Sequence, residues 1–155
     1  MAKEILEIAF ENVQLRKFTN FLINVKSDSN LLNYQVVPEY PLVIQFNSSD
    51  ELFNIINSFS DGVFNCNFSD FKLGKYAIDK VSIQLLKDNL IYDASLYFED
   101  EALKSMDSIK YFQHWAFKVA QVLGSKTYYC GLEPASDLET RFFTESIFGP
   151  LNFDV

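Results

Sequence analysis

The fold class follows from residues 81–98, which read VSIQLLKDNLIYDASLYF. Apolar and polar side chains alternate on both sides of Asp88-Asn89, as is typical of half-buried β-strands. Asp88-Asn89 suits a two-residue turn with positive φ. That turn predicts three apolar pairs on one face: Leu85 with Tyr92, Ile83 with Ala94, and Val81 with Leu96. The opposite face then pairs Gln84 with Asp93 and Ser82 with Ser95. These residues predict a hairpin with one buried face.

Two amphipathic helices are predicted around this hairpin. The first spans residues 49–59, with Ser48 as N-cap and Glu51 three residues later, which is the capping-box arrangement. The second spans residues 106–123, where apolar side chains recur at helical spacing between the N-cap Ser105 and Gly124. The sequence therefore predicts an α+β fold in which a mainly antiparallel sheet, including the 81–98 hairpin, packs against both helices.

The other segments are patterned less clearly. Residues 5–10 fit either a strand or the start of a helix that runs to about Val25, and we favour a strand followed by a helix with Leu15, Phe18 and Leu22 on its buried face. The remaining predictions are a loop at 26–30, a strand at 41–46, a packed aromatic loop with one strand or none at 63–80, a strand at 127–130, and a short helix from Ser136 through Phe143.

Length and composition are those of one domain, residues 1–155. The chain is 48% hydrophobic, which is ample for a core without a metal or a disulfide. Cys66 and Cys130 stand far apart without a partner motif, so we expect inert core thiols. Glu7 interrupts the first apolar run, and no stretch approaches the ~20 apolar residues of a membrane span. We therefore expect a soluble protein of the reducing cytoplasm.

The charge is negative and unevenly distributed. The formal net charge is -8, which argues against nucleic acid or an anionic membrane as a partner. Residues 88–155 carry 11 acidic and 5 basic side chains, against 10 and 8 in residues 1–87. A field of this kind speeds the approach of a basic partner.

No catalytic or cofactor-binding set is recognisable. His114 is the single histidine and has no nucleophile motif beside it, so we expect a structural or surface residue. One His and two distant Cys do not make a zinc site, and no phosphate-binding glycine motif occurs. We therefore predict no metal, no cofactor and no enzymatic activity. A carboxylate pair formed only in the fold, such as Glu133 with Asp137 or Asp93 with Glu139, stays open.

The most distinctive stretch is residues 128–150, where tyrosines stand beside carboxylates. Tyrosine supplies contact area at low entropic cost, and acids supply complementarity to a basic surface. The candidate partner-binding residues are Asp93, Glu99, Asp100, Glu101, Tyr128, Glu133, Asp137, Glu139 and Glu145. Alternatively, this segment folds back on the core with Phe142, Phe143 and Phe148 buried and its acids solvated. Both interpretations can hold together.

The chain resembles the small acidic immunity proteins of bacterial polymorphic-toxin and contact-dependent growth inhibition systems. The resemblance rests on size, acidity, the α+β pattern and the stretch GLEPA (131–135), TRFFT (140–144) and GPL (149–151). It implies a monomer that binds a cognate toxin domain one to one in the cytoplasm and blocks its active site or substrate entry. Many such toxins are basic nucleases, and an acidic inhibitor competes well for their phosphate-binding clefts.

Two other hypotheses make different structural predictions. A carboxylate-dependent enzyme requires a deep pocket in which two acids meet. A structural or adaptor subunit requires an exposed apolar patch and a stable oligomer.

Overall fold

The computed structural model describes residues 4–37, 46–99 and 106–152. The strands are β1 (Ile5–Glu11), β2 (Asn30–Val37), β3 (Asp61–Leu73), β4 (Tyr76–Asp88), β5 (Ile91–Glu99), β6 (Thr127–Leu132), β7 (Arg141–Thr144) and β8 (Ile147–Phe148). The helices are α1 (Leu15–Asp28), α2 (Ser49–Asn57) and α3 (Met106–Leu123), and a 3-10 turn spans Leu138–Thr140. The α+β class is thus confirmed.

The strands form one antiparallel sheet. Within the described residues its order is β2-β3-β4-β5-β1-β6-β7-β8. β1 therefore lies between β5 and β6, and it pairs with each of them over six residues. The N-terminal strand therefore joins two groups of strands, with β2 to β5 on one side and β6 to β8 on the other.

The two faces of this sheet have different surroundings. The inward side chains of β1 to β7 form one core with the buried sides of α1, α2 and α3; Phe10, Phe68 and Phe112 are among its fully buried members. All three helices thus cover the same side. We call the opposite side the outer face, and its rows of paired residues run from β2 to β7.

The hairpin forms as predicted, but its register is shifted by two residues. Leu85 pairs with Ala94 and Ile83 with Leu96, and the turn is Asn89-Leu90 instead of Asp88-Asn89. Asn89 has a φ of 56° and donates its backbone N–H to Asp61 Oδ1 at 2.8 Å, so the neighbouring strand β3 fixes the turn. A shift by two keeps every side chain on its predicted face because the strand period is two.

Residues 63–80 are strands, and the predicted loop is wrong. β3 and β4 pair from Asp61–Asp88 to Leu73–Tyr76 around a turn at Gly74-Lys75. Beyond Ser69 the inward alternation shifts by one residue, and Asp70 has a φ of 53°. This irregularity hides the period-two pattern in the sequence. The hairpin end packs on α3, where Tyr111 accepts the Lys75 N–H at 2.8 Å.

The N-terminal half follows the favoured interpretation. β1 is a strand, and α1 buries Leu15, Phe18 and Leu22 while Val25 packs at its edge. The predicted loop at 26–30 is wrong, because α1 continues to Asp28 and β2 starts at Asn30. The polar residues there form an exposed last helical turn.

The capping box of α2 is confirmed. Ser48 Oγ accepts the Glu51 N–H at 3.1 Å, and the Glu51 carboxylate accepts the Asn47 N–H at 3.0 Å. The predicted strand at 41–46 lies outside the described residues except for Phe46, which is fully buried. The predicted N-cap Ser105 also lies outside them.

The predicted helix from Ser136 through Phe143 is wrong. Only the 3-10 turn Leu138–Thr140 forms, and β7 follows it at Arg141. Arg141 pairs with Gly131 and Phe143 with Cys130 on β6. Pairing with β6 is a contact distant in sequence, so the local cap signal at Ser136 does not decide the outcome.

Candidate functional site

The outer face is a polar surface that the described helices leave uncovered. One row of paired residues contains Asn33, Asn67, Ser82, Tyr97, Glu7, Gly131 and Arg141, and a neighbouring row contains Gln35, Asn65, Gln84, Ser95, Ala9, Tyr129 and Thr144. Amide side chains dominate over β2 to β4, whereas carboxylates and tyrosines dominate over β5 to β6. The face therefore offers many hydrogen-bonding groups on a rigid scaffold.

Glu7 lies at the centre of the carboxylate-rich part. It is only 9% exposed although it points away from the helices. Its carboxylate accepts Ser95 Oγ at 2.8 Å, Tyr97 OH at 3.0 Å and the Ala135 N–H at 3.0 Å. Three donors compensate the desolvation of the charge. Glu7 thus ties its own strand β1 to β5 and to the loop that contains Ala135.

That loop, residues 133–140, lies on the outer face. Ala135 is fully buried against Ala9 and Tyr129. Arg141 holds the loop from the other side: its Nε donates to the Ala135 carbonyl at 2.7 Å, and its guanidinium lies 3.8 Å above the Tyr129 ring. The stretch that carries the resemblance therefore includes this docked loop, with its own small cluster, and the strands on either side of it.

The described acids that were predicted to bind a partner lie mostly on this face. Glu99 and Asp93 share the outer side of β5, and Asp93 Oδ1 accepts the Asn12 N–H at 2.8 Å. Glu133, Asp137 and Glu139 are exposed on the docked loop. The fold therefore places on one face acids that are up to 46 residues apart in sequence.

Tyr128 and Glu145 lie elsewhere. Tyr128 is 6% exposed on the inner face and stacks on Phe10 at 6.5 Å between ring centroids. Burial, with the nearby charge of Glu145, raises its pKa. Glu145 follows β7, and its carbonyl accepts Gln113 Nε2 of α3 at 3.1 Å. These two positions do not favour a role on the outer face. Asp100 and Glu101 lie outside the described residues.

Two phenols of the outer face are tied to its carboxylates. Burial and the neighbouring Glu7 raise the pKa of Tyr97 to about 12, and Glu133 adds a smaller effect. Burial and Glu11 raise the pKa of Tyr129 to about 12. The carboxylates of Glu7 and Glu11 therefore disfavour ionisation of the phenols beside them.

The helix side has a different charge. Exposed side chains of both signs lie on it: Arg16, Lys17, Lys110 and Lys118 are balanced by Asp28, Asp50, Glu51 and Asp107. Arg16 also pairs with Asp50 at 2.7 Å. On the outer face Arg141 is buried, whereas Lys80 is exposed and lines a groove with Glu99. The exposed acids Glu11, Glu99, Glu133, Asp137 and Glu139 outnumber this lysine. A basic partner therefore meets a more favourable field on the outer face than on the helices.

Sequence reasoning missed Glu7 and Glu11. Their signal was present, because a strand with Leu6, Ile8 and Phe10 on one face puts Glu7 and Glu11 on the other. Glu11 accepts Tyr129 OH at 3.2 Å. Only the position of β1 in the middle of the sheet, which periodicity does not reveal, makes these two acids part of the site.

The described grooves do not assemble a catalytic pair. One groove of about 370 Å³ on the outer face is lined by both polar and apolar residues, among them Lys80, Tyr97 and Leu32, with Glu99 as its one carboxylate. A second groove, of about 190 Å³ between α1, α3 and β3, is also lined by one carboxylate, that of Asp28. His114 is exposed on α3. Among the described residues, no three His, Cys, Asp or Glu side chains cluster as metal ligands would.

Both cysteines lie in the core with no exposed surface. Burial raises the pKa of each thiol well above its usual range. A thiol that stays protonated is a poor nucleophile and a poor metal ligand. In the part of the chain that the structure describes, no helix combines the length and apolarity needed to cross a bilayer.

Comparison with known proteins gives two matches. The sequence model of the PABL017 Cdi1I immunity protein family matches residues 4–147. A chain from the 1.75 Å crystal structure of the toxic C-terminal tip of CdiA from Pseudomonas aeruginosa in complex with immune protein superposes with a TM-score of 0.82. That match has 26% sequence identity and covers 97% of this chain and 99% of the other. No curated protein matches the sequence.

Proposed function

The chain belongs to the PABL017 Cdi1I immunity protein family, and from this membership we propose that it binds and neutralises a cognate CdiA-type toxin domain through the outer face of its sheet. The similar crystal structure contains a toxic CdiA tip together with an immune protein, so the partner of that relative is a toxin domain. The observation that carries the assignment of the face is the gathering of Asp93, Glu99 and the loop acids on the side that no described helix covers.

The chemistry of the face favours a basic toxin. A net charge of -8 and the exposed acids of the outer face together direct an acidic field outward from the sheet. Such a field accelerates association with a cationic surface and suppresses binding of nucleic acid. A nuclease has a cationic cleft for phosphates. We therefore propose a nuclease-type toxin whose active site or substrate entry is covered by the outer face.

The 133–140 loop is held rigidly, which bears on how the protein would inhibit the toxin. Glu7, Arg141 and Tyr129 hold the 133–140 loop against the sheet, so the acids are presented with little freedom to lose on binding. We propose a one-to-one complex in the cytoplasm, formed by residues 1–155 as a single domain without catalysis by the chain itself. Membership of an immunity protein family supports inhibition by binding over a carboxylate-dependent enzyme.

A protection experiment tests this function. Cells that express the cognate toxin domain are expected to survive when wild-type protein is co-expressed, and the two proteins are expected to co-purify. The outer-face variant Glu99→Lys/Glu133→Lys should bind at least about tenfold more weakly, since each reversal opposes a basic surface. Both side chains are exposed, so the fold should persist.

The matched control is Asp28→Lys/Asp107→Lys. Both side chains are exposed on the helix side, and the net charge changes by the same amount as in the outer-face variant. The control should protect cells like the wild type. Failure of the wild type to bind the toxin would refute the function, whereas equal weakening by both variants would refute the assignment of the face and leave only long-range charge.

A further inference from the structure

An apolar row crosses one end of the outer face. Val37 of β2 pairs with Val63 of β3, which pairs with Leu86 of β4, and all three point outward. Ile91 of β5 is the diagonal neighbour of Leu86. Val37 is 51% exposed, Leu86 46% and Ile91 55%. Single exposed apolar residues are ordinary, but four on adjoining strands form a contiguous patch.

Carboxylates border this row on two sides. Asp61 and Asp88 pair with each other one step beyond Val63 and Leu86, and Asp93 pairs with Leu86. Two of these acids are held in place: Asp61 Oδ1 accepts the Asn89 N–H, and Asp93 Oδ1 accepts the Asn12 N–H, both at 2.8 Å. An apolar centre with a polar rim is the usual anatomy of a protein–protein interface.

We infer that the apolar row Val37, Val63, Leu86 and Ile91 is the anchor of the interface, which receives an apolar or aromatic side chain that the toxin presents between lysines or arginines. This inference rests on the proposed function and specifies the chemistry of the partner's contact. Charge complementarity selects the occupant, because an acid-bordered patch attracts an apolar group with a basic surround and repels a second copy of this acidic chain.

The exposed apolar residues of α3 lack such a border. Phe117 is 43% exposed and Val122 53%, and Lys118 and His114 are exposed on the same helix. A basic partner is not drawn to that surface. These two residues are therefore a control set of equal exposure and opposite electrostatic surroundings.

The test compares Leu86→Thr/Ile91→Thr with Phe117→Thr/Val122→Thr by titration calorimetry against the purified cognate toxin domain. Threonine is β-branched, which strands favour at positions 86 and 91, and far-ultraviolet circular dichroism verifies the fold of each variant, including the helical control. The first variant is expected to raise Kd at least about tenfold, as loss of two anchor side chains does. The second is expected to stay within about twofold of the wild type.

Three outcomes separate the claims. If the wild type binds no toxin, the proposed function fails and the anchor fails with it. If the wild type binds and both variants match its Kd, the anchor is refuted while the proposed function stands. If light scattering finds the free wild type as a dimer that Leu86→Thr/Ile91→Thr converts to a monomer, the row serves self-association and the inference is overturned.

Discussion

Lys87 shows how a charged residue can belong to the core. It points inward from β4 with 6% exposure, and its Nζ donates to the Ile56 carbonyl at 3.0 Å and to the Phe59 carbonyl. These are carbonyls at the C-terminal end of α2, where a cation is favoured. The alternation of the strand places Lys87 inward, but the sequence does not reveal the helix end that satisfies it. Glu7 is the counterpart on the outer face.

Replacing Lys87 with methionine should lower the free energy of unfolding by about 1–3 kcal/mol, since two partly buried carbonyls lose their donor. Urea denaturation measures the change. Lys80→Met, at an exposed position of the same strand, is the control and should stay within about 0.5 kcal/mol. An equal loss in both variants would show that the helix end does not depend on Lys87.

Tyr97 and Tyr129 give the protein a defined response to alkali. Both phenols have a pKa of about 12 in the folded state against an ordinary value of 10. Between these values the unfolded chain loses protons that the folded chain keeps, so stability falls as pH rises from about 10 to 12. The urea midpoint should decrease across this window, and Tyr97→Phe/Tyr129→Phe should flatten the decrease. An unchanged slope in that variant would contradict the assignment.

At the scale of elements, the face on which a strand residue lies was easier to predict than the register in which two strands pair. The hairpin alternation placed Leu85, Ala94 and Leu96 on the buried side, but it could not distinguish registers that differ by two residues. Asp88-Asn89 and Asn89-Leu90 are both acceptable turn sites, and the Asp61 carboxylate that binds the Asn89 N–H comes from a strand that the sequence did not suggest. Periodicity reports a face, whereas register depends on contacts distant in sequence.

The docked loop 133–140 depends on a close backbone approach at Gly131. A Cβ there would lie 2.5 Å from the Thr140 carbonyl oxygen and 2.9 Å from the Arg141 Cα. Gly131→Ala should therefore separate β6 from β7, with a loss of about 1–3 kcal/mol in stability. The same variant should bind the toxin more weakly if the loop acids contribute to the interface.

The control for this change is Gly149→Ala. A Cβ at Gly149 meets no atom within 4 Å, although its φ of +99° is unfavourable for alanine. The Gly149→Ala variant therefore measures the cost of backbone strain without a steric clash. Limited proteolysis distinguishes the two, because only Gly131→Ala should expose the loop to early cleavage. Equal protection of the loop in both variants would contradict its tight docking.

At the scale of the molecule, the core and the proposed binding surface lie on opposite sides of the sheet. Helices and inner strand faces form the core, whereas the outer face combines a carboxylate-rich centre, an acidic loop and an apolar row. The sequence predicted the acidity and the residues Glu99 and Glu133, because charge is readable residue by residue. It did not predict that β1 joins them, because strand order is a long-range property. The family match identifies the partner class, which neither pattern nor charge could name.

The most direct test of the outer-face assignment is zero-length carbodiimide cross-linking of the complex, followed by mass spectrometry. This reagent joins carboxylates only to amines in contact with them. The account predicts links from toxin lysines to Asp93, Glu99, Glu133 and the acids around the apolar row, with none to Asp28 or Asp107. Links confined to Asp28 and Asp107 would place the toxin on the helices and contradict the account.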